Sequence, residues 1–373
     1  MKAMETIEFR DVARGKALQG RLDRLLAEAG RPVTVMHVCG SHEQAIARFG
    51  LRARFPRDLR VQMGPGCPVC VTDTAEIDAC VALARRGLRV LTYGDMLRVP
   101  GAEMSLEDAR AEGARVEVIY AATQAADIAR ESAEPVVFFA TGFETTAVAT
   151  AAVLLRDPPP NLYVLSAHKW VPAAMEVVAS SPDTAIEGYL AAGHAATITG
   201  FGLFEPFARA HRTPVVVAGF EPLDILSGLV LLVEQVLAGK AEVVNAFARC
   251  VSREGNHRAL DALFRAFHLR DGDWRGIARV GGGELRLRPE LAAHDATVRF
   301  ARELDQAPPV TPRADAAACR CGDIMTGRSQ PSDCALFGAA CLPDTPVGAC
   351  MISTEGICRI WHEHGLGAAE ATL

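Results

Sequence analysis

Apolar and polar positions along the chain fall into two alternating patterns. Residues 11–29 carry Val12, Leu18, Leu22, Leu25 and Leu26 at helical spacing, which predicts an amphipathic helix. Pro32 then introduces an apolar-rich run at 33–38 that reads as a buried strand. Short apolar runs at 61–63, 88–91, 116–119, 136–140, 162–165, 195–198 and 215–218 predict further strands. Helical patterns lie between or beyond them at 74–86, 123–130, 171–179 and 223–237. Strand and helix in alternation predict an α/β fold, with parallel sheets covered by helices. Further on, 241–267 reads as helical, Gly281-Gly282-Gly283 as a turn, 289–304 as helical, and the proline-rich 307–312 as a linker.

In parallel sheets the chemistry gathers in loops at the carboxyl ends of the strands. The unusual residues of this chain are expected there. Cys39-Gly40-Ser41-His42-Glu43 follows the first strand, and Gly64-Pro65-Gly66-Cys67-Pro68-Val69-Cys70 follows the second. The segment 93–101, with Asp95, follows the third. Gly142-Phe143-Glu144-Thr145-Thr146 follows the fifth as a strand-to-helix turn with Thr as cap, and Ser166-Ala167-His168-Lys169 follows the sixth. Convergent loops of this kind describe a cleft between α/β units.

Composition narrows the function classes. The chain has 373 residues, enough for two or three domains with proper cores. Lys and Arg number 39 against 45 Asp and Glu, a net charge of −6, so no global basic field exists to hold a nucleic-acid backbone. The first residues are charged throughout, unlike a secretory signal. The most apolar stretch, 225–237, is too short to span a bilayer and contains Glu234. These features predict a cytoplasmic protein, with neither membrane nor nucleic acid among its partners.

Eleven cysteines, an odd number, point away from a disulfide framework and toward metal or redox chemistry. Cys80 and Cys250 stand alone in expected helices and read as small buried hydrophobes. Cys67 and Cys70 form a C-x-x-C ahead of an expected helix near 72–74. Such a pair can close a disulfide or share a soft metal, and a helix N-terminus favours a thiolate. Cys39, with His42 and Glu43 just beyond it, has the makings of a nucleophile or a metal ligand with proton-handling neighbours. Six cysteines crowd the tail: Cys319, Cys321, Cys334, Cys341, Cys350 and Cys358. Four thiolates from a loop-rich segment can hold a [4Fe–4S] cluster, which leaves two for a redox-active dithiol. Zinc, or plain thiols, are the other readings of the tail.

These motifs, in this order from about residue 35 to 360, resemble the hydrogenase maturation factor HypD family. The matching segments are 37–43, 64–70, 93–101, 142–146 and the tail from Cys319-Arg320-Cys321-Gly322-Asp323 to Ser353-Thr354-Glu355-Gly356-Ile357-Cys358. Three positions depart from the family's usual pattern, Ser41, Asp73 and Val148, and they bear on loop stiffness rather than chemistry. The resemblance implies two α/β domains facing across a cleft, plus a small C-terminal iron–sulfur domain similar to ferredoxin–thioredoxin reductase. Expected boundaries are 1–130, 131–306 and 307–373.

The resemblance also implies a task, assembly of the Fe(CN)2CO unit of [NiFe]-hydrogenases. It would be carried out with a HypC-type chaperone and with cyanide from HypE and HypF, and would serve the hydrogenase large subunit indirectly. Iron would lie between a HypC thiolate and Cys39. Cys67 and Cys70 would supply redox or ligand chemistry beside it, with His42, Asp95 and Glu355 nearby. Cys319, Cys334, Cys341 and Cys358 would hold the cluster, and Cys321 and Cys350 would be the dithiol of an electron relay. An iron–sulfur protein-disulfide reductase is the competing reading, and a zinc-stabilised scaffold the third.

Overall fold

The computed structural model describes residues 10–307 and 318–367. Most of the expected linker, 308–312, lies outside the described residues. The chain divides into two compact units that interleave in sequence. One takes the chain up to Gly64 together with Ala179–Gly255; the other takes Pro65–Val178 and the chain from Asn256 onward. This division differs from consecutive boundaries near 130 and 306, because strands distant in sequence pair with one another.

The first unit is built on a five-stranded parallel sheet. Its strands are β1 (Val33–His37), β2 (Leu59–Met63), β7 (Gly188–Ala192), β8 (Val215–Ala218) and β9 (Val243–Asn245), in the order β2-β1-β7-β8-β9. Strand β1 is buried at every position, as a central parallel strand covered on both faces should be. Two helices, Val12–Ala29 and Pro222–Leu237, pack on each other, and Leu22, Leu26, Ile225 and Leu229 join Val33, Val35 and Val216 in the core. The first helix starts where the Asp11 carboxylate accepts the Ala13 and Arg14 N–H groups. It stops at Gly30, which takes a left-handed φ of 61°.

The second unit carries a six-stranded sheet. Its strands are β3 (Arg89–Tyr93), β4 (Val116–Ile119), β5 (Val136–Gly142), β6 (Leu162–Lys169), β10 (Phe267–Trp274) and β11 (Ala278–Leu287), in the order β10-β11-β6-β5-β3-β4. Strands β3 to β6 pair in parallel; β11 runs antiparallel to β6 and forms a hairpin with β10. Phe138, Ala140, Leu162, Val164 and Leu285 meet the small faces of helices Ala122–Arg130 and Glu144–Leu154 in its core. The fold is therefore α/β with largely parallel sheets. Among the described residues no helix is long and apolar enough to cross a membrane.

Several elements differ from their sequence signal. The run 195–198 lies in helix Gly193–Thr199, and the strand precedes it at β7. Gly188 begins that strand because a Cβ there would sit 2.8 Å from Leu232. The span 241–267 is not one helix: β9 comes first, and helix His257–Ala266 begins at the Asn256 cap. Cys250 is accordingly exposed in a turn, whereas Cys80 is buried in helix Thr74–Arg85. The segment 289–304 is broken into short helical pieces at Pro289–His294, Ala296–Arg299 and Ala301–Asp305.

Gly281-Gly282-Gly283 lies inside β11 rather than at the hairpin turn. The Trp274 indole packs over Gly283, where a Cβ would meet Nε1 at 2.7 Å, and donates to the Gly283 carbonyl at 3.1 Å. Ser166 to Lys169, expected as a loop, extends β6, because β11 pairs with it at Glu284↔Lys169 and Leu285↔His168. At 142–146 the cap is Phe143 and both threonines lie within the helix. Gly142 permits this turn at φ 137°, and a Cβ there would strike Thr146 at 2.4 Å.

Candidate functional site

In the first unit Cys39 leaves β1 and caps helix Gly40–Arg48. It is buried and lies outside any disulfide. Its Sγ stands 4.0 Å from Nδ1 of His194, which opens helix Gly193–Thr199 one residue after Gly193. Gly193 lets the start of this helix lie close against the end of β8, since a Cβ there would lie 2.5 Å from the Ala218 carbonyl. Burial lowers the pKa of His194, so its imidazole is the neutral form that can accept a proton or bind a metal.

His42 is turned elsewhere. Its Nε2 donates to the carbonyls of Gly219 (3.1 Å) and Ala218 (3.3 Å). Burial, together with the nearby His37 and His194, pulls its pKa down to about 3. Phe220 packs on both rings, with centroids 4.9 Å from His42 and 5.1 Å from His194. Below Cys39, His37 Nε2 meets Glu43 Oε2 at 2.8 Å, and Arg52 Nε donates to Glu43 Oε1 at 2.9 Å. Burial opposes ionisation of Glu43, but Arg52 and His37 outweigh it and hold the carboxylate well below its usual range. His37 Nδ1 in turn lies 3.1 Å from the Cys39 carbonyl, so this buried ionic group anchors the backbone that presents the thiol.

In the second unit Cys67 and Cys70 form a disulfide, and both are buried. Cys67 caps the short helix Pro68–Val71, and its sulfur accepts the Cys70 N–H at 3.1 Å. Cys70 thus lies within this short helix, and the pair precedes the helix expected near 72–74. The next helix, Thr74–Arg85, is capped by Asp73, whose carboxylate accepts the Ala75 N–H, while Glu76 reaches back to the Asp73 N–H. This capping box accounts for the aspartate at 73.

The C-terminal thiols gather in the same unit. Cys319, Cys321, Cys334, Cys341 and Cys358 wall a small cavity with Ile324, Leu336, Phe337 and Met351. Cys319 and Cys321 sulfurs are 3.2 Å apart. Gly348 closes over both, since a Cβ there would sit 2.6 Å from each sulfur. The Val347 N–H donates to Cys341 Sγ at 3.3 Å. Bonds from Cys319, Cys350 and Cys358 pull the Cys321 thiol well below its ordinary range and push Cys350 and Cys358 upward.

This apolar, thiol-walled cavity fits a group that takes one thiolate at each of several corners. Among the described residues no three His, Cys, Asp or Glu side chains converge on a single ion. Cys350 sits on helix Ala349–Ile352, which packs against helix Pro68–Val71. The tail is tied down by Ser353, whose hydroxyl donates to Asp95 Oδ2 at 2.9 Å and accepts the Glu355 N–H at 3.2 Å. Asp95 and Glu355 therefore meet through one serine.

The HypD family profile, described as "Hydrogenase formation hypA family", matches residues 15–365. The chain belongs to the HypD family. It is similar to Hydrogenase maturation factor HypD of Azotobacter vinelandii, 40% identical over 370 residues and covering 96% of each chain. The HypD of Rhizobium leguminosarum bv. viciae is 42% identical over 374 residues, 96% of this chain and 94% of the relative. That of Cupriavidus necator is 39% identical over 380 residues, 98% and 97% respectively. Hydrogenase maturation is the role that membership of the HypD family gives this chain.

Within this HypD-family fold, the cysteine motifs mark Cys39, Cys67, Cys70 and the tail. The motifs include His37 in the segment 37–43 without giving it a role, and they pass over His194, Phe220 and Arg52. A glycine-histidine step just past a strand end is the signal that could have found His194; reading 195–198 as a strand hides it.

Proposed function

We propose that this chain is the scaffold on which the Fe(CN)2CO unit of [NiFe]-hydrogenases is assembled, and that it works with a HypC-type chaperone and a HypE/HypF cyanide donor. Iron is the cargo, held by Cys39 and a thiolate of the chaperone. The His194 imidazole beside Cys39 takes up the thiol proton or completes the donor set. Soft thiolate donors suit low-spin iron carrying cyanide and carbonyl.

Cys319, Cys334, Cys341 and Cys358 would hold a [4Fe–4S] cluster, which supplies single electrons when bound. The chain's own thiols carry the remaining redox steps. A thiolate of the Cys321/Cys350 pair attacks the Cys67–Cys70 disulfide, and one of those two sulfurs leaves as a thiolate. The second thiol of the pair then attacks the resulting mixed disulfide, closes the Cys321–Cys350 disulfide and releases the other of the two sulfurs as a thiolate. Two electrons thus pass to Cys67 and Cys70, and an external reductant restores the pair. The observation that carries this reading is the packing of the Cys350 helix against the Cys67–Cys70 helix beside a thiol-walled cavity.

The test is an infrared spectrum of the chain copurified without oxygen with its chaperone partner. Cyanide and carbonyl stretches that vanish on Cys39→Ala are the expected result. A brown protein lacking those bands, with every maturation partner coexpressed, would replace the scaffold with an iron–sulfur protein-disulfide reductase.

A further inference from the structure

The β10–β11 hairpin turns at residues 275–277, and this tip meets the backbone beside both groups of thiols in the second unit. On one side the Arg275 N–H donates to the carbonyl of Val71, the last residue of the Cys67–Cys70 helix, at 3.1 Å. On the other, Gly276 presses against the turn after Cys321: a Cβ on Gly322 would lie 1.8 Å from the Gly276 carbonyl oxygen. Gly276 itself has φ 71°, so both glycines are required where the two segments meet.

The Arg275 side chain is half-buried, and its Nη1 donates to the Pro100 carbonyl at 2.8 Å. Among the described residues it makes no ion pair within 4.0 Å. Burial works against its charge, and the groups that favour the charge are Cys321, Cys319 and Cys350, ahead of Asp73. Removing a guanidinium from water without a partner is costly, so such charges are normally matched by an anion. Sulfurs lead the groups that answer this charge, with the carboxylates of Asp73 and Asp78 also in its field.

We infer that Arg275 is the counter-charge of the C-terminal thiolates and tunes their redox poise, holding the reduced and more negative state within reach of a donor. This rests on the proposed iron–sulfur reading of the tail. Arg275 is a positioning residue: it touches neither cargo nor disulfide, and acts through the field at the sulfurs.

The test is spectroelectrochemical titration of the full-length holoprotein, purified without oxygen, comparing wild type with Arg275→Gln and Arg275→Lys. Gln keeps a donor for the Pro100 carbonyl and removes the charge; Lys keeps the charge. Arg275→Gln should shift the reduction equilibrium about tenfold toward the oxidised form, which lowers a one-electron midpoint by about 59 mV. Arg275→Lys should stay close to wild type. Equal midpoints in all three proteins, with full clusters, would overturn the inference and leave the iron–sulfur reading standing. A wild-type protein with no cluster absorption overturns that reading and the inference with it. Should Arg275→Gln fail to keep its cluster, retention by Arg275→Lys supports the role of charge, and loss in both variants refutes it.

Discussion

Glu144 offers the most direct check on the electrostatics of the second unit. Its side chain is 1% exposed, at the start of the helix that follows β5. Oε1 accepts the Val171 N–H at 3.0 Å, and Oε2 has no partner. Burial raises its pKa from an ordinary 4.5 to about 7, against weaker opposition from backbone N–H groups. Between those two values the unfolded chain has released the proton while the folded chain retains it. Stability therefore falls as pH rises from about 4.5 to about 7. At about 1.36 kcal/mol per pH unit the loss reaches about 3 kcal/mol.

Glu144→Gln keeps the acceptor for Val171 and cannot ionise. Relative to wild type it should gain about 3 kcal/mol of stability between pH 4.5 and pH 8, or about 1 M in urea midpoint for an m-value near 3 kcal/mol per M. Tryptophan fluorescence is a suitable probe, because all three tryptophans, Trp170, Trp274 and Trp361, belong to this unit and Trp274 stacks on Phe143. If the two proteins show parallel pH profiles across that window, Glu144 ionises like an exposed carboxylate and the argument fails.

Three further outcomes follow from the same physics. Lys169 is fully buried, with Nζ 2.8 Å from Glu284 and 2.9 Å from Glu76, so Lys169→Met should destabilise the second unit by about 3 kcal/mol in urea unfolding, because two buried carboxylates are left to share Arg286 alone. Gly348→Ala places a methyl 2.6 Å from both Cys319 and Cys321 sulfurs and should sharply reduce iron and sulfide content, measured on the anaerobically purified protein against an unchanged far-ultraviolet circular dichroism spectrum. His42 remains neutral in the fold down to about pH 3, whereas the unfolded chain takes up its proton near 6.5. The first unit should thus lose up to about 5 kcal/mol as pH falls through that window, and His42→Gln should flatten the trend in hydrogen exchange of the β8 amides.

The parallel architecture is legible in the sequence because a strand covered on both faces must be apolar at nearly every position. Strand β5 is buried along its whole length and is visible as 136–140 from composition alone. The rule that loops at strand carboxyl ends carry the chemistry then points to Cys39, Cys67, Asp95 and Glu144 before any coordinates. The misread elements share another cause: a tertiary partner overrides the local signal. Three glycines lie within a strand because β10 pairs with β11 there, and Trp274 packs over Gly283. Ser166 to Lys169 extends a strand because β11 supplies an antiparallel neighbour that no local pattern announces. The interleaving of the two units is equally hidden, since hydrophobic periodicity identifies a strand without identifying the sheet that receives it.

The candidate sites divide in the same way. Cysteines are legible because their clustering is rare and their chemistry specific; the six tail thiols stand out by count alone. The groups that tune them are ordinary residues far apart in sequence. Glu76, Lys169, Glu284 and Arg286 form one buried ionic group, with Arg286 bonding Glu284 at 2.8 Å and Glu76 at 3.2 Å. It becomes recognisable only once the register places Glu284 opposite Lys169. Two cations and two carboxylates balance there, so the network closes on itself and serves the fold. Arg275, eleven residues before Arg286, makes no ion pair within 4.0 Å among the described residues, and Cys321, Cys319 and Cys350 come ahead of Asp73 in favouring its charge. The same residue type thus reads as structural in one place and as an electrostatic tool in the other, and the difference lies in which anion can answer the charge.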